Sequence, residues 1–325
     1  MKRRQLIGAV GAVGLSGHAW AQPASLPRIA YVSGRSLGTD GHLLQAFREG
    51  LKGTGFVDGQ NIVIDVRWAD GDFSKVPGYF KELIALKPQV VVSVGGNPVA
   101  IAAKQATSTI PVVFSVGADP MQIGLVTSLN RPDGNMTGIT LLASELDVKR
   151  LELLREMVPQ ARKVALFTNS ANPGAVNEQL AMEAASGPLG MQLETLDIKS
   201  TSDIDRAFEK LPPGRVDALA VVGDAFLISR RDKIVGLAAQ RRLPAIYPAR
   251  EFADNGGLAS YGTRWADMYV IVGNYTGRIL KGAKPADLPV QRPNRYELVL
   301  NQRTAKALGL TFSPTMLTRA DEVLE

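Results

Sequence analysis

The chain has 325 residues, a formal net charge of +6 and no cysteine. The lack of cysteine excludes disulfides, thiol catalysis, cysteine-ligated metal sites and the residue to which a bacterial lipid anchor would be attached. With 45% hydrophobic residues, the chain can form two domains of ordinary size, each with its own core.

The first 21 residues have the pattern of a cleaved signal peptide. The basic start "KRR" at positions 2–4 precedes an apolar span from Leu6 to Leu15, and "AWA" at positions 19–21 gives the A-x-A pattern before Gln22. The span is too short to remain as a membrane helix. We therefore expect a soluble periplasmic protein that begins at Gln22. We expect export by the general secretory route rather than by the twin-arginine route, whose signal the "RRQLI" segment loosely resembles.

Strand–turn–helix units repeat from Ile29 onward. The apolar runs "RIAYVS", "NIVIDVRWA", "VVVSVGG" and "IPVVFSV" are rich in β-branched residues, and a helical segment follows each of them. These units predict an open parallel sheet with helices on both faces. The segment "GNMTGITLL" predicts a fifth strand. No block of lysine and arginine interleaved with aromatic residues occurs, so nucleic acid is not an expected partner.

A second α/β half begins after the amphipathic segment "SELDVKRLELLREMVP". Strands and helices alternate again from "KVALFTNSANPGAV" to "LPAIYPAREFADNGGLASYG", and a long helix, a proline-rich crossing and one more strand–helix unit follow. We predict that lobe I comprises residues 22–140 and about 262–290, and lobe II residues 141–261 and about 291–325. Ligands of open α/β sheets bind at the carboxyl ends of the strands, so we expect a ligand cleft between the lobes that closes about a hinge.

Six ordered stretches resemble one protein family. They are "FREGLKGTGFVDGQNIVIDVRWADGDF", "AAKQATSTIPVVFSVGADPMQIGLVTSLNRPDGNMTGIT", "KRLELLREMVP", "RRLPAIYPAREFADNGGLASYG", "ILKGAKPADLPVQRPNRYELVLNQRTAKALGL" and "RADEVLE". The chain resembles the solute-binding proteins of bacterial ABC importers, in the subgroup related to tryptophan- and tyrosine-binding receptors. The resemblance implies a type I periplasmic binding protein fold, with two doubly wound, Rossmann-like lobes joined by three crossings. It also implies delivery of a small-molecule ligand to an ABC permease and its ATPase, and we expect a monomer without a cofactor.

The predicted strand ends supply candidate ligand contacts. Asn97 before Pro98 predicts an N-cap and a helix start whose free N–H groups suit an anion. Neither the Walker nor the dinucleotide glycine pattern is present, so a carboxylate is favoured over a nucleotide. Asp119 or Asp224 could accept a ligand ammonium, or each could only cap a helix. The strand-end candidates are Ser33, Gly34, Gly96, Asn97, Gly117, Asp119, Asn169, Asn172 and Asp224.

Three further candidates lie close together in the second half. Tyr247 and Tyr261 could supply flat apolar surface to a ligand, whereas Phe252 between them is more typical of the core. Arg250 could pair with a ligand carboxylate or only with its neighbour Glu251. With the anion site at Asn97, these residues favour an amino acid or a small aromatic acid over a sugar.

Two alternatives to an importer component remain open. A secreted enzyme is disfavoured, because His42 is the only histidine after the predicted cleavage and no G-x-S-x-G motif occurs. The D-x-D pair Asp70 and Asp72 lacks further ligands at defined spacing, so we predict a solvated turn and no metal site. A carboxylate pair across the cleft could still do acid–base chemistry. A periplasmic sensing module for a membrane signalling protein would use the same fold and cleft.

Overall fold

A computed structural model describes residues 26–325. The predicted signal peptide, its cleavage site and Gln22 lie outside these residues. Within them, the strands form two sheets. The strands are β1 (Arg28–Ser33), β2 (Val63–Trp68), β3 (Val90–Val94), β4 (Val112–Val116), β5 (Met136–Thr140), β6 (Lys163–Thr168), β7 (Gln192–Asp197), β8 (Ala218–Val221), β9 (Ala245–Tyr247), β10 (Ala259–Thr263), β11 (Tyr296–Asn301) and β12 (Glu322–Leu324).

Helices cover both sheets. They are α1 (Leu37–Lys52), α2 (Val76–Ala85), α3 (Asn97–Ala106), α4 (Ala143–Met157), α5 (Ala175–Ser186), α6 (Thr201–Lys210), α7 (Ala225–Ser229), α8 (Arg231–Gln240), α9 (Arg250–Asp254), α10 (Trp265–Leu280), α11 (Gln302–Leu308) and α12 (Pro314–Arg319). None of those within residues 26–325 is long and apolar enough to span a membrane.

The first sheet has the order β2-β1-β3-β4-β5, and all its strands are parallel. Every residue of β3 and β4 is buried. Their unalternated β-branched sequences suit this position, because a strand covered by helices on both faces has no solvent-facing side. The predicted strands of the first half are thus confirmed.

The second sheet has the order β12-β11-β10-β9-β8-β6-β7. Its strands pair in parallel except for β10 and β11, which are antiparallel. The predicted α/β fold with two doubly wound lobes is confirmed, and this antiparallel pair is an addition to it. The antiparallel pairing arises because β11 enters the sheet only after the chain has returned from the other lobe.

The chain passes between the two sheets three times. Strand β5 leads into α4, which packs on β8, β9 and β10, and β10 leads into α10, which packs on α1 and on the first sheet. The segment before β11 then returns to the second sheet. Gln291 in this segment pairs with the end of β5, since its carbonyl accepts from the Thr140 N–H at 3.0 Å. The three crossings agree with the expected fold, while the exact lobe boundaries stay a prediction.

Helices α1 and α10 approach closely at glycines. A Cβ atom at Gly50 would lie 2.0 Å from the Val270 carbonyl oxygen, and one at Gly273 would lie 2.1 Å from the Phe47 carbonyl oxygen. Only glycine permits this separation between the two helix backbones. Because α10 is entered directly from the second sheet, its packing on α1 positions one of the connections between the lobes.

Replacement of Gly273 by alanine should therefore destabilise the protein. We expect Gly273→Ala to cost at least about 1–3 kcal/mol, the scale of overpacking a close contact. Gly236→Ala on α8 is the matched control, because a Cβ there meets no atom within 4 Å, and it should be neutral or stabilise by about 0.5–1 kcal/mol. Urea unfolding of both variants checks this, and equal stability of the two would contradict the close packing.

Candidate functional site

The strand ends of the two sheets line a small central cavity. Its walls come from the turns after β3, β4, β6 and β8 and from the start of α10. The cavity volume is about 20 Å³, which is room for about one water molecule. The lobes are therefore closed on each other. Residues used below that line this central cavity are Arg35, Gly96, Asn97, Gly117, Asn172 and Trp265.

One chain of hydrogen bonds crosses the cleft beside the central cavity. The Oδ1 atom of Asn97 accepts from the N–H groups of Gly117 and Ala118 at 2.9 and 3.1 Å. Its Nδ2 atom donates across the cleft to Asn172 Oδ1 at 2.9 Å and to the Pro173 carbonyl at 2.6 Å. Asn172 Nδ2 in turn donates to Asp224 Oδ2 at 2.9 Å. Every amide group in this chain has a partner of the correct type, so the side-chain orientations are mutually fixed.

Asn97 thus has a different role from the predicted one. Helix α3 does begin at Asn97, but its N-cap is Gly96 with φ 134°, and the Asn97 side chain makes no capping bond. The left-handed conformation at Gly96 turns the chain so that the side chain of the next residue points to the other lobe. The predicted glycine turn is therefore present, and its asparagine connects the lobes.

Further contacts between the lobes lie around the rim of the cleft. Asn177 Nδ2 donates to Gln122 Oε1 at 2.8 Å on one side. On the other side, Arg231 donates to the Thr39 carbonyl at 3.1 Å and Arg230 to a backbone carbonyl of the β2–α2 loop. These contacts join α5, α8 and the residue before α8 in one lobe to two loops and the first turn of α1 in the other, so opening of the cleft must break all of them.

Arg35 is the buried cation of the central cavity. Its side chain is wholly buried, with Nη1 3.0 Å from Asp40 Oδ1 and the guanidinium carbon 4.2 Å from the centre of the Trp265 ring. The Nε–H group has no hydrogen-bond partner. A guanidinium held over an aromatic face in this way is pre-oriented, with donor capacity left for an anion.

A second, larger cavity adjoins the central one. Its volume is about 230 Å³, and it lies between the Ala118–Gln122 segment of one lobe and the start of α5 in the other. Its charged lining residues are Asp119, Glu145, Glu178 and Arg292. We refer to it as the acidic cavity. Arg292 already pairs with Glu145 at 3.3 Å, so the remaining charge of the lining is negative.

Five of the predicted ligand residues line one of these two cavities. Gly96, Asn97, Gly117 and Asn172 border the central cavity, and Asp119 borders the acidic cavity. The Asp119 carboxylate also accepts from the Met121 N–H at 2.9 Å, a local turn bond that leaves its other oxygen available.

Four other strand-end candidates position their neighbours instead. The Ser33 hydroxyl oxygen accepts from the Arg35 N–H, and both backbone polar groups of Gly34 bond within the lobe. Asp224 is the N-cap of α7, as one reading of its position predicted, and also accepts from Asn169 Nδ2 at 3.2 Å. None of the four is part of the lining of either cavity.

The structure places the three second-half candidates away from the lining of both cavities. Tyr247 is buried in the core, stacked on Phe252 with ring centres 4.6 Å apart, so it lies beneath the cleft. Arg250 pairs with Asp254 at 3.2 Å and with Glu322 at 2.9 Å on the surface of lobe II. Tyr261 packs beside the Tyr296 ring rather than on the cavity lining. A ligand contact at any of the three would need a different arrangement of these groups.

Three side chains that line the two cavities were not predicted from the sequence, namely those of Arg35, Trp265 and Glu178. Arg35 follows the first predicted strand directly, and its position was the available signal. Trp265 lies in the first turn of the long helix α10, and Glu178 lies in the first turn of α5. The sequence pattern of neither helix indicates that these side chains line a cavity. Asp70 and Asp72 belong to local turns, and no cluster of three or more metal-ligating side chains occurs within residues 26–325.

Two lobes closed over a cleft at their strand ends define a solute-binding protein. Residues 29–324 match the family model "ABC transporter substrate binding protein", and the chain belongs to this family. The family assignment confirms that it is a binding protein rather than an enzyme. The relatives described next confirm the resemblance to tryptophan- and tyrosine-binding receptors.

Individual relatives agree with this assignment. A tyrosine-binding protein of Clostridioides difficile is 26% identical over 266 residues, which cover 82% of this chain and 76% of the relative. An ABC domain from Streptococcus pneumoniae in complex with L-Trp has 28% identity, a TM-score of 0.83 and coverage of 92% and 100%. A conserved domain protein from Vibrio cholerae has 26% identity, a TM-score of 0.85 and coverage of 91% and 99%.

Loss of the Asn97 side chain should favour an open cleft. Asn97→Ala removes two donated and two accepted hydrogen bonds, so we expect the closed arrangement to lose about 1–3 kcal/mol relative to the open one. The matched control is Asn274→Ala, since Asn274 is exposed on α10. Small-angle scattering without ligand should give a larger radius of gyration for Asn97→Ala only. A radius equal to that of the control would contradict the role of this bridge.

Proposed function

We propose that this chain captures a small carboxylate-bearing solute, an amino acid or an aromatic acid, for an ABC importer. The buried Arg35 side chain carries the proposal. Its guanidinium stands over the Trp265 ring in the central cavity and has an unpartnered Nε–H. A carboxylate is the anion that pairs best with a planar guanidinium, and an aromatic side chain can pack against the same indole.

The helix start at Asn97 supports the same ligand class. The backbone N–H groups of the first turn of α3 border the central cavity through Gly96 and Asn97, and they favour a negative group. A sugar has no charge for these groups to neutralise. Among relatives, one is described as tyrosine-binding and another was solved with L-Trp, which agrees with an amino-acid or aromatic ligand.

Capture requires the lobes to separate first. Pockets that enclose drug-sized ligands have volumes of about 300–1,000 Å³, whereas the central cavity measures about 20 Å³. The solute therefore enters an open form, and the lobes that enclose it must stand further apart than in the present arrangement, whose central cavity holds about one water molecule. Binding that favours the closed state shifts the hinge equilibrium towards it.

The family assignment supports delivery of the solute to a membrane transporter. We propose that the mature, monomeric protein lies in the periplasm after removal of residues 1–21 and presents its closed form to an ABC permease and its ATPase. The intact mass of the exported protein tests the first part, because retention of the basic "KRR" segment would contradict cleavage.

Substitution of Arg35 should weaken carboxylate binding selectively. Arg35→Gln removes the charge but keeps a polar side chain, and we expect affinity to fall about 10–100-fold, the scale of one lost charge-assisted hydrogen bond. Calorimetry against amino acids, aromatic acids and sugars measures this. The control is Arg48→Gln, because Arg48 forms only a surface ion pair with Asp58.

A carboxamide series separates loss of recognition from loss of folding. The wild type should bind tryptophan or tyrosine more tightly than the corresponding amide, and Arg35→Gln should lose most of this preference. Sugar binding by the wild type, with no binding of carboxylates, would contradict the proposed ligand class. An unchanged preference in Arg35→Gln would contradict the role of Arg35.

A further inference from the structure

Glu178 is a buried carboxylate without a partner. Its side chain is only 3% exposed, it lines the acidic cavity, and its Oε2 atom makes no hydrogen bond. Burial of an ionised carboxylate without a compensating group costs several kcal/mol. No cationic side chain within residues 26–325 pairs with Glu178, so the group is either neutral or paired with something that enters the cavity.

The charges around Glu178 make its ionised form still less favourable. Burial, followed by the nearby negative charges of Asp147 and Asp224, raises the pKa of Glu178 well above its usual value, and Arg150 opposes the rise only in part. Arg150 is already engaged, since it donates to the Asp147 carboxylate and, at 2.8 Å, to the Tyr261 carbonyl. Arg150 therefore pairs with these two groups and not with Glu178.

We propose that the acidic cavity is a subsite for an organic cation, an ammonium or guanidinium group, with Glu178 as its anchor. Asp119, on the opposite lobe, lines the same cavity, so closure brings a carboxylate from each lobe towards the bound cation. A cation held between them would interact favourably with both carboxylates.

The position of the subsite relates it to the proposed ligand. Gly117 borders the central cavity and the next residue, Ala118, borders the acidic cavity, so the two spaces meet at one peptide unit and at the Asn97 bridge. If the cation is part of the cleft solute, the inference rests on the proposed function, and the solute must also carry a basic nitrogen. As a separate amine, it would bind without any carboxylate. The shared chemistry is the ammonium group, and the experiment separates the two sources.

The test compares ligands that differ in one charged group. The wild type and Glu178→Gln are titrated calorimetrically with L-tyrosine and L-tryptophan, with the deaminated acids 3-(4-hydroxyphenyl)propionate and indole-3-propionate, and with tyramine and butylammonium. Glu178→Gln should weaken binding of the amines and amino acids at least tenfold and change the deaminated acids less than twofold. Glu183→Gln is the matched control, because Glu183 is exposed on the same helix.

Proton release provides a second readout. The wild type should release a proton fraction when it binds an amine, measured from the heat in buffers of different ionisation enthalpy, and this fraction should fall as the pH rises. Glu178→Gln should release none. If Glu178 has only a structural role, Glu178→Gln should instead lower the thermal stability and leave the amine affinity unchanged.

The binding results distinguish failure of the cation subsite from failure of the proposed function. Binding of amino acids and deaminated acids with no effect of Glu178→Gln overturns the cation subsite and leaves the proposed function intact. Binding of tyramine and butylammonium alone, lost in Glu178→Gln, supports the subsite as a site for a separate amine and contradicts the carboxylate ligand. Absence of any amine or amino-acid binding to the wild type overturns the subsite.

Discussion

The two lobes are held together by a line of amide and carboxylate hydrogen bonds that runs from Asp224 through Asn172 to Asn97. Each member can satisfy the next only in one orientation, because Asn97 uses its oxygen for two backbone N–H groups and must donate with its nitrogen. The positions of the strand ends around the central cavity depend on this bridge. It also separates the central cavity from the acidic cavity, so the geometry of both sites changes when the bridge breaks.

Two buried charged side chains of the cleft are not fully paired within the described residues. Arg35 has an unused donor and Glu178 an unused acceptor, and in a site with little water each unmatched group costs free energy that packing elsewhere must offset. Stability alone does not explain why such groups face a cavity. The proposed ligand would explain both, because a group of complementary charge would recover the lost interactions. This is a common property of binding sites, where affinity arises from groups that the free protein leaves incompletely satisfied.

The fold could be predicted from sequence, but the site only in part. Runs such as "VVVSV" and "VVFSV" indicate buried parallel strands, and the turns after strands are where ligands of such sheets bind. This is why the predicted residues Gly96, Asn97, Gly117 and Asn172 line the central cavity. Side-chain burial could not be predicted in the same way. Tyr247 resembles a cleft aromatic in sequence, yet stacking on Phe252 places it in the core. Arg35 and Glu178 resemble surface residues of a turn and a helix, and their burial becomes evident only in the folded structure.

The central claim is that one solute is enclosed by closure of the two lobes. Because the sequence has no cysteine, Met121→Cys and Val176→Cys can carry a pair of spin labels on opposite sides of the cleft, next to the Gln122–Asn177 contact. The distance between the labels, measured by pulsed electron spin resonance, tests closure directly. Without ligand we expect a mixture of long and short distances, and with a saturating carboxylate ligand a single short one. An identical distance distribution with and without saturating ligand would contradict the account.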